Sequence, residues 1–111
     1  MVIYFTGTGN SRYAGESIAN LTGDEAVCAN NYIKRTVSGD FASEKPYVFV
    51  APTYAWRMPR LFSEFIEKSA FSGCQKAYFV LTCGDGIGNA GAYAKKLCDK
   101  KGFAYMGTRA L

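Results

Sequence analysis

Four short apolar runs, VIYF (2–5), YVFVA (47–51), AYFVLT (77–82) and FAYMG (103–107), constrain this chain most, because none alternates cleanly between apolar and polar residues. A strand that is apolar on both sides must be buried on both faces, as in a parallel sheet covered by helices. EAVC (25–28) is a weaker fifth strand. Between the runs, apolar residues recur at helical spacing: Ala14, Ile18 and Leu21; Leu61, Phe62, Phe65 and Ile66, with Pro59 at the first helical position; and Ala90, Ala94, Leu97 and Cys98. The segment 29–46 must carry a crossover between parallel strands, and a short helix or turn is expected around Tyr32 to Val37. This alternation predicts a doubly wound α/β sheet. Phe5, Tyr47, Phe49 and Phe79 are assigned to its core, Tyr13 and Tyr93 to helix packing.

Composition narrows the function. A chain of 111 residues, 49% apolar and 15% aromatic, is one packed domain with no disordered character. No apolar stretch approaches the ~20 residues that span a bilayer, and no leader pattern opens the sequence, so a cytoplasmic protein with no membrane partner is expected. The four cysteines, Cys28, Cys74, Cys83 and Cys98, form no CxxC pair and read as free thiols rather than ligands of zinc or an iron–sulfur cluster. There is no histidine, which excludes hydrolytic mechanisms built on it. The net charge of +4 includes Lys95, Lys96, Lys100 and Lys101 near the end of one helix, where cations complement the macrodipole. No basic stripe with interleaved aromatics points to nucleic acid.

In a doubly wound sheet, ligands bind beyond the carboxyl ends of the strands where strand order reverses. Three loops occupy that edge: TGTGNS (6–11), PTYAWRMP (52–59) and CGDGIGNAG (83–91). The first is a run of small residues feeding a helix N-terminus, whose free N–H groups and positive dipole end favour phosphate. Thr6, Thr8, Asn10 and Ser11 add donors, while Gly7 and Gly9 let the backbone approach a ligand. Rival motifs fail on particular letters. A Walker loop needs GK[ST], and the dinucleotide pattern stops at Gly7-x-Gly9-x-x-Arg12 with no third glycine. A phosphoacceptor domain would end its first and third strands in acids, where Thr6 and Pro52-Thr53 stand, and the loop has no cysteine for phosphatase chemistry. In the second loop, Tyr54 and Trp56 offer rings for a flat aromatic ligand to stack on. Glycines of the third allow main-chain groups to meet that ligand's edge. A phosphate joined to a planar heterocycle describes a mononucleotide.

TGTGNS, PTY and GDGIG, taken in order after the first, third and fourth strands, resemble the flavodoxins, which bind FMN at three such loops. The closer resemblance is to the flavodoxin-like module of two-domain proteins that end in a bacterial-type ferredoxin, through YFTGTGNSRY, PTYAWRMPR and CGDGIGNAGAY. It covers almost the whole chain. It implies a flavodoxin-like FMN-binding domain over residues 1–111 with strand order 2-1-3-4-5, shortened at its C-terminal end and lacking the family's last helix. Thr6, Gly7, Thr8, Gly9, Asn10 and Ser11 are implied as the FMN phosphate loop. Pro52, Thr53, Tyr54, Ala55 and Trp56 lie against one face of the isoalloxazine, with Tyr54 at the stacking position. Cys83, Gly84, Asp85 and Gly86 run along the pyrimidine edge. Asn89 stands where many flavodoxins carry an aromatic, which leaves that face open or covered by Trp56 or a partner. Asp85 either faces the ring or ends the strand, and Cys83 is either a thiol beside the flavin or a small residue that lets it approach. Arg12 and Arg57 flank the anion site or are simply solvated.

The function implied is a carrier of electrons between redox partners, a ferredoxin domain among them. A flavin-dependent NAD(P)H or quinone reductase of the same fold and a nonredox anion-binding domain are the alternatives. Without the last helix, an apolar patch is expected over VIYF and YVFVA, with self-association through it.

Overall fold

The computed structural model describes residues 1–6, 10–53, 58–82 and 90–110, the Asn10 side chain excepted. In chain order the elements are β1 (Val2–Tyr4), α1 (Asn10–Thr22), β2 (Ala26–Cys28), α2 (Asn30–Lys34), β3 (Asp40–Ser43), β4 (Tyr47–Pro52), α3 (Arg60–Lys68), β5 (Ala70–Gly73), β6 (Lys76–Thr82), α4 (Ala90–Lys101) and β7 (Ala104–Ala110). Five strands form one sheet in the order β2-β1-β4-β6-β7, and every pairing in it is parallel. Counted among themselves, these five strands have the expected order 2-1-3-4-5. The expected turn or helix near Tyr32 is α2, beginning two residues earlier, at Asn30.

Both faces are covered over β1 and β4, which explains their unbroken apolar runs, while β6 is buried on one face and β7 is largely exposed. On one face Phe62, Phe65 and Ile66 of α3 and Ala94, Leu97 and Cys98 of α4 pack on Ile3, Phe49, Phe79 and Leu81. On the other, Ala14 and Ala19 of α1 pack on Val2, Tyr4 and Val50. Tyr47, Phe49 and Phe79 are core residues as expected, while Phe5 is partly buried against that core and stacks on Phe62 with ring centroids 5.9 Å apart.

Four expectations need correction. Leu21 is 88% exposed and Tyr13 78% exposed, because α1 turns small residues, Ser11, Gly15 and Ala19, toward the sheet. A Cβ on Gly15 would stand 3.0 Å from the Tyr4 ring, so α1 lies too close for a larger side chain there. Leu61 and Tyr93 are likewise exposed on their helices. Pro59 caps α3 from outside, with extended backbone at ψ 135°, instead of occupying its first helical position. The apolar patch expected over residues 2–5 and 47–51 is absent: Val2, Ile3, Tyr4 and Val50 are buried, and it is Tyr78 on β6 and Met106 on β7 that are exposed.

β3 and β5 form a separate two-stranded parallel sheet, Phe41 opposite Phe71. Tyr47 ties it to the main sheet by donating its hydroxyl to the Ser72 carbonyl at 2.7 Å. The lysines at the end of α4 also reach beyond their own helix. Lys101 Nζ donates to the carbonyls of Glu67 and Ser69, 3.0 and 2.7 Å away, closing the C-terminus of α3, and Lys100 pairs with the Glu67 carboxylate.

Candidate functional site at the carboxyl edge of the sheet

The chain runs from β1 out to β2, then returns past β1 to β4, so strand order reverses between β1 and β4. β1, β4 and β6 lie side by side there, and the three loops singled out in the sequence leave from their carboxyl ends. Gly7, Thr8, Gly9, Tyr54, Ala55, Trp56, Arg57, Cys83, Gly84, Asp85, Gly86 and Asn89 lie outside the described residues. Thr6, Asn10, Ser11, Pro52 and Thr53 lie within them, and they fix how the loops begin.

Pro52 and Thr82 end their strands opposite one another. Thr53 continues past Pro52, its N–H donating to the Thr82 carbonyl at 3.1 Å and its hydroxyl reaching the same oxygen at 3.3 Å. The Thr82 hydroxyl lies 3.2 Å from the hydroxyl of Ser11, which is only 2% exposed in the first turn of α1. Thr82, not singled out in the sequence, therefore joins the ends of all three loops. Asn30 is a second residue the sequence reading missed. Its side-chain oxygen accepts the Thr6 N–H at 3.0 Å and its amide donates to the Thr6 carbonyl at 2.8 Å. Further along, the second loop returns through buried Met58 and Pro59, and the third through buried Ala90.

The electrostatics suit an anion. α1 opens at Asn10 with no acidic residue in its first turn, so its N–H groups and positive dipole end are not neutralised from within. Arg12 is exposed and paired with Glu16 at 3.0 Å, a solvated surface pair. Burial, with Cys28 nearby, raises the Tyr4 phenol above its ordinary value and keeps it neutral. Among the described residues no group of three or more Cys, Asp or Glu could hold a metal. Among them, too, no helix is long and apolar enough to cross a membrane. A cavity of about 390 Å³ lies between α2 and α3, lined by Ile33, Val37, Leu61 and Phe65 among others. It is built wholly from residues outside the three loops.

Among solved structures, the chain superimposes on a protein from Bacteroides eggerthii assigned as a flavoprotein, with TM-score 0.72 and 21% identity, over 99% of this chain and 86% of the other. The chain has the flavodoxin-like fold. Flavodoxin itself, from Megasphaera elsdenii in its two-electron reduced state, matches with TM-score 0.61 and 13% identity over 99% of this chain and 85% of that one. The Trp repressor binding protein of Bacillus subtilis shares the flavodoxin-like fold with TM-score 0.63 and 15% identity, over 98% and 81% of the two chains. No protein-family model and no curated protein matches the sequence.

Proposed function

We propose that the chain is an electron-transfer domain that holds FMN noncovalently at the carboxyl edge of its sheet. One observation carries this reading: the three loops suited to phosphate, aromatic ring and ring edge leave adjacent parallel strands at the point of strand reversal, tied together by Ser11, Thr82 and Thr53. The donor set fits the group. The hydroxyl of Thr6 and the unneutralised start of α1 suit a phosphate monoester, and Thr53 suits the polyol chain behind it. FMN, when bound, supplies one- and two-electron redox chemistry. The chain's own contribution is to bind the phosphate through main-chain N–H groups, to keep the loop ends in register, and to surround the ring with neutral dipoles. The likeness to a flavodoxin and to a protein assigned as a flavoprotein supports the reading. An iron–sulfur protein of the bacterial ferredoxin type is the redox partner we propose, from the sequence resemblance.

The test is a visible spectrum of the purified protein followed by titration of the apo form with FMN, read by flavin fluorescence. Flavin bands and strong quenching at stoichiometric FMN are expected. A folded, colourless protein that leaves FMN fluorescence unchanged would overturn the assignment. Steady consumption of NAD(P)H with a quinone by the loaded protein would move it from carrier to reductase.

A further inference from the structure

We infer that Asn30 is the positioning residue of the anion loop, setting the backbone geometry from which residues 6–11 receive a phosphate monoester; this rests on the FMN reading above. The pairing of β1 with β2 is complete without it: Tyr4 lies opposite Cys28, and the Ala29 N–H closes on the Tyr4 carbonyl at 2.8 Å. Asn30 then acts on one residue only. Its primary amide takes both polar groups of the Thr6 backbone, so the side chain imitates one more residue of β2. The Thr6 N–H and carbonyl dictate which end of the amide faces which group, and the Cys28 thiol adds a weak donation to the same amide oxygen at 3.6 Å.

The consequence falls on the loop that follows. Three residues separate Thr6 from Asn10, and the far side is held by the Ser11 hydroxyl against Thr82. With the Thr6 backbone held by Asn30 on one side and Ser11 held by Thr82 on the other, less ordering is left to be done at these two ends when an anion binds between them. Releasing the Thr6 end adds that ordering to the cost of binding the phosphate. The ring of the flavin, held by the other two loops, does not depend on Asn30.

The two ligands that separate these effects are FMN and riboflavin, which differ by the phosphate alone. Each is titrated by fluorescence into apo wild type, Asn30→Ala and Asn30→Asp, with folding checked by circular dichroism. Asn30→Ala is expected to weaken FMN about tenfold while riboflavin changes by less than about twofold, the order expected for losing two ordinary hydrogen bonds. Asn30→Asp keeps an acceptor for the Thr6 N–H but sets oxygen against the Thr6 carbonyl, and it should lose at least as much FMN affinity. If Asn30→Ala does not fold, the Asp variant alone carries the comparison. Equal weakening of both ligands, or none, would overturn the positioning role and leave the FMN site standing. Wild type that binds neither ligand would overturn both. Exchange of the Thr6 amide proton, faster by about tenfold in Asn30→Ala, is the readout that needs no ligand.

Discussion

Asp24, just after α1, places one carboxylate oxygen 2.7 Å from the Met1 α-ammonium and accepts the Glu25 N–H with the other at 2.8 Å. Burial opposes ionisation, but the hydrogen bonds from the ammonium and from Glu25 outweigh it, and the carboxyl titrates below its ordinary 3.8. In the unfolded chain the group binds its proton more readily, so protonation favours unfolding. Its contribution is therefore fully present above the ordinary value and is lost as pH falls through the lower folded one. Denaturant unfolding of Asp24→Asn should show a loss of about 1 kcal/mol at pH 7, the order of a hydrogen bond to a charged group, and a flatter dependence on pH below 4 than wild type. Cys98 makes the opposite case. Burial first, and the Asp99 charge second, push its thiol up to about 11. Alkylation at pH 8 should label the partly exposed Cys28 and Cys74 in the folded protein and spare Cys98 until denaturant is added.

Helix α2 ends in a tight reversal in which the Val37 N–H returns to the Tyr32 carbonyl and the Thr36 N–H to that of Ile33. That pair of bonds requires a left-handed residue, a place usually taken by glycine, and here Thr36 holds it at φ 57°. A β-branched residue there is strained by roughly 1–2 kcal/mol. Thr36→Gly should therefore stabilise the protein by about 0.5–1 kcal/mol, after the greater entropy of glycine in the unfolded chain is subtracted, measured by urea unfolding. The same residue explains why α2 was only faintly legible in the sequence: a helix of five residues whose stop is threonine carries neither periodicity nor punctuation. β1 and β4 were legible because two-sided burial leaves an unbroken apolar record, whereas β2, β6 and β7, more exposed, were read from apolar runs that their burial does not require. β3 and β5, DFAS and AFSG, were not, since each offers one phenylalanine among small and polar residues. The site divides similarly. Loops rich in glycine and hydroxyls announce themselves locally, whereas Asn30 acts on Thr6 across 24 residues and Thr82 on Ser11 across 71, with no local pattern to betray either.

For the molecule as a whole, a ligand that binds only the folded state raises its stability by mass action. FMN at a free concentration a hundredfold above its Kd should add ~2.7 kcal/mol, which for a chain of this length raises Tm by about 10 °C. A thermal scan showing no shift at millimolar FMN would count against the site. The exposed Tyr78 and Met106 offer a second global test. Reversible association is expected in sedimentation runs at rising concentration, and Tyr78→Ser with Met106→Ser should abolish it; a wild-type monomer throughout would remove that surface from consideration. The parallel sheet has one more consequence, for the order in which the molecule is made. Val2 pairs with Ala26 on one side and with Val48 on the other, and Val48 in turn waits for Tyr78. No strand can close on its sequence neighbour by a hairpin, so each pairing must wait for a crossover to be synthesised and to fold back. A ribosome that has released the first forty residues has released β1, α1 and the sheet's edge strand, with Ile3 still without the α3 and α4 residues that cover it. The nascent chain gains a core when the strand beginning at Tyr47 emerges, and until then it depends on whatever shields apolar segments at the exit tunnel.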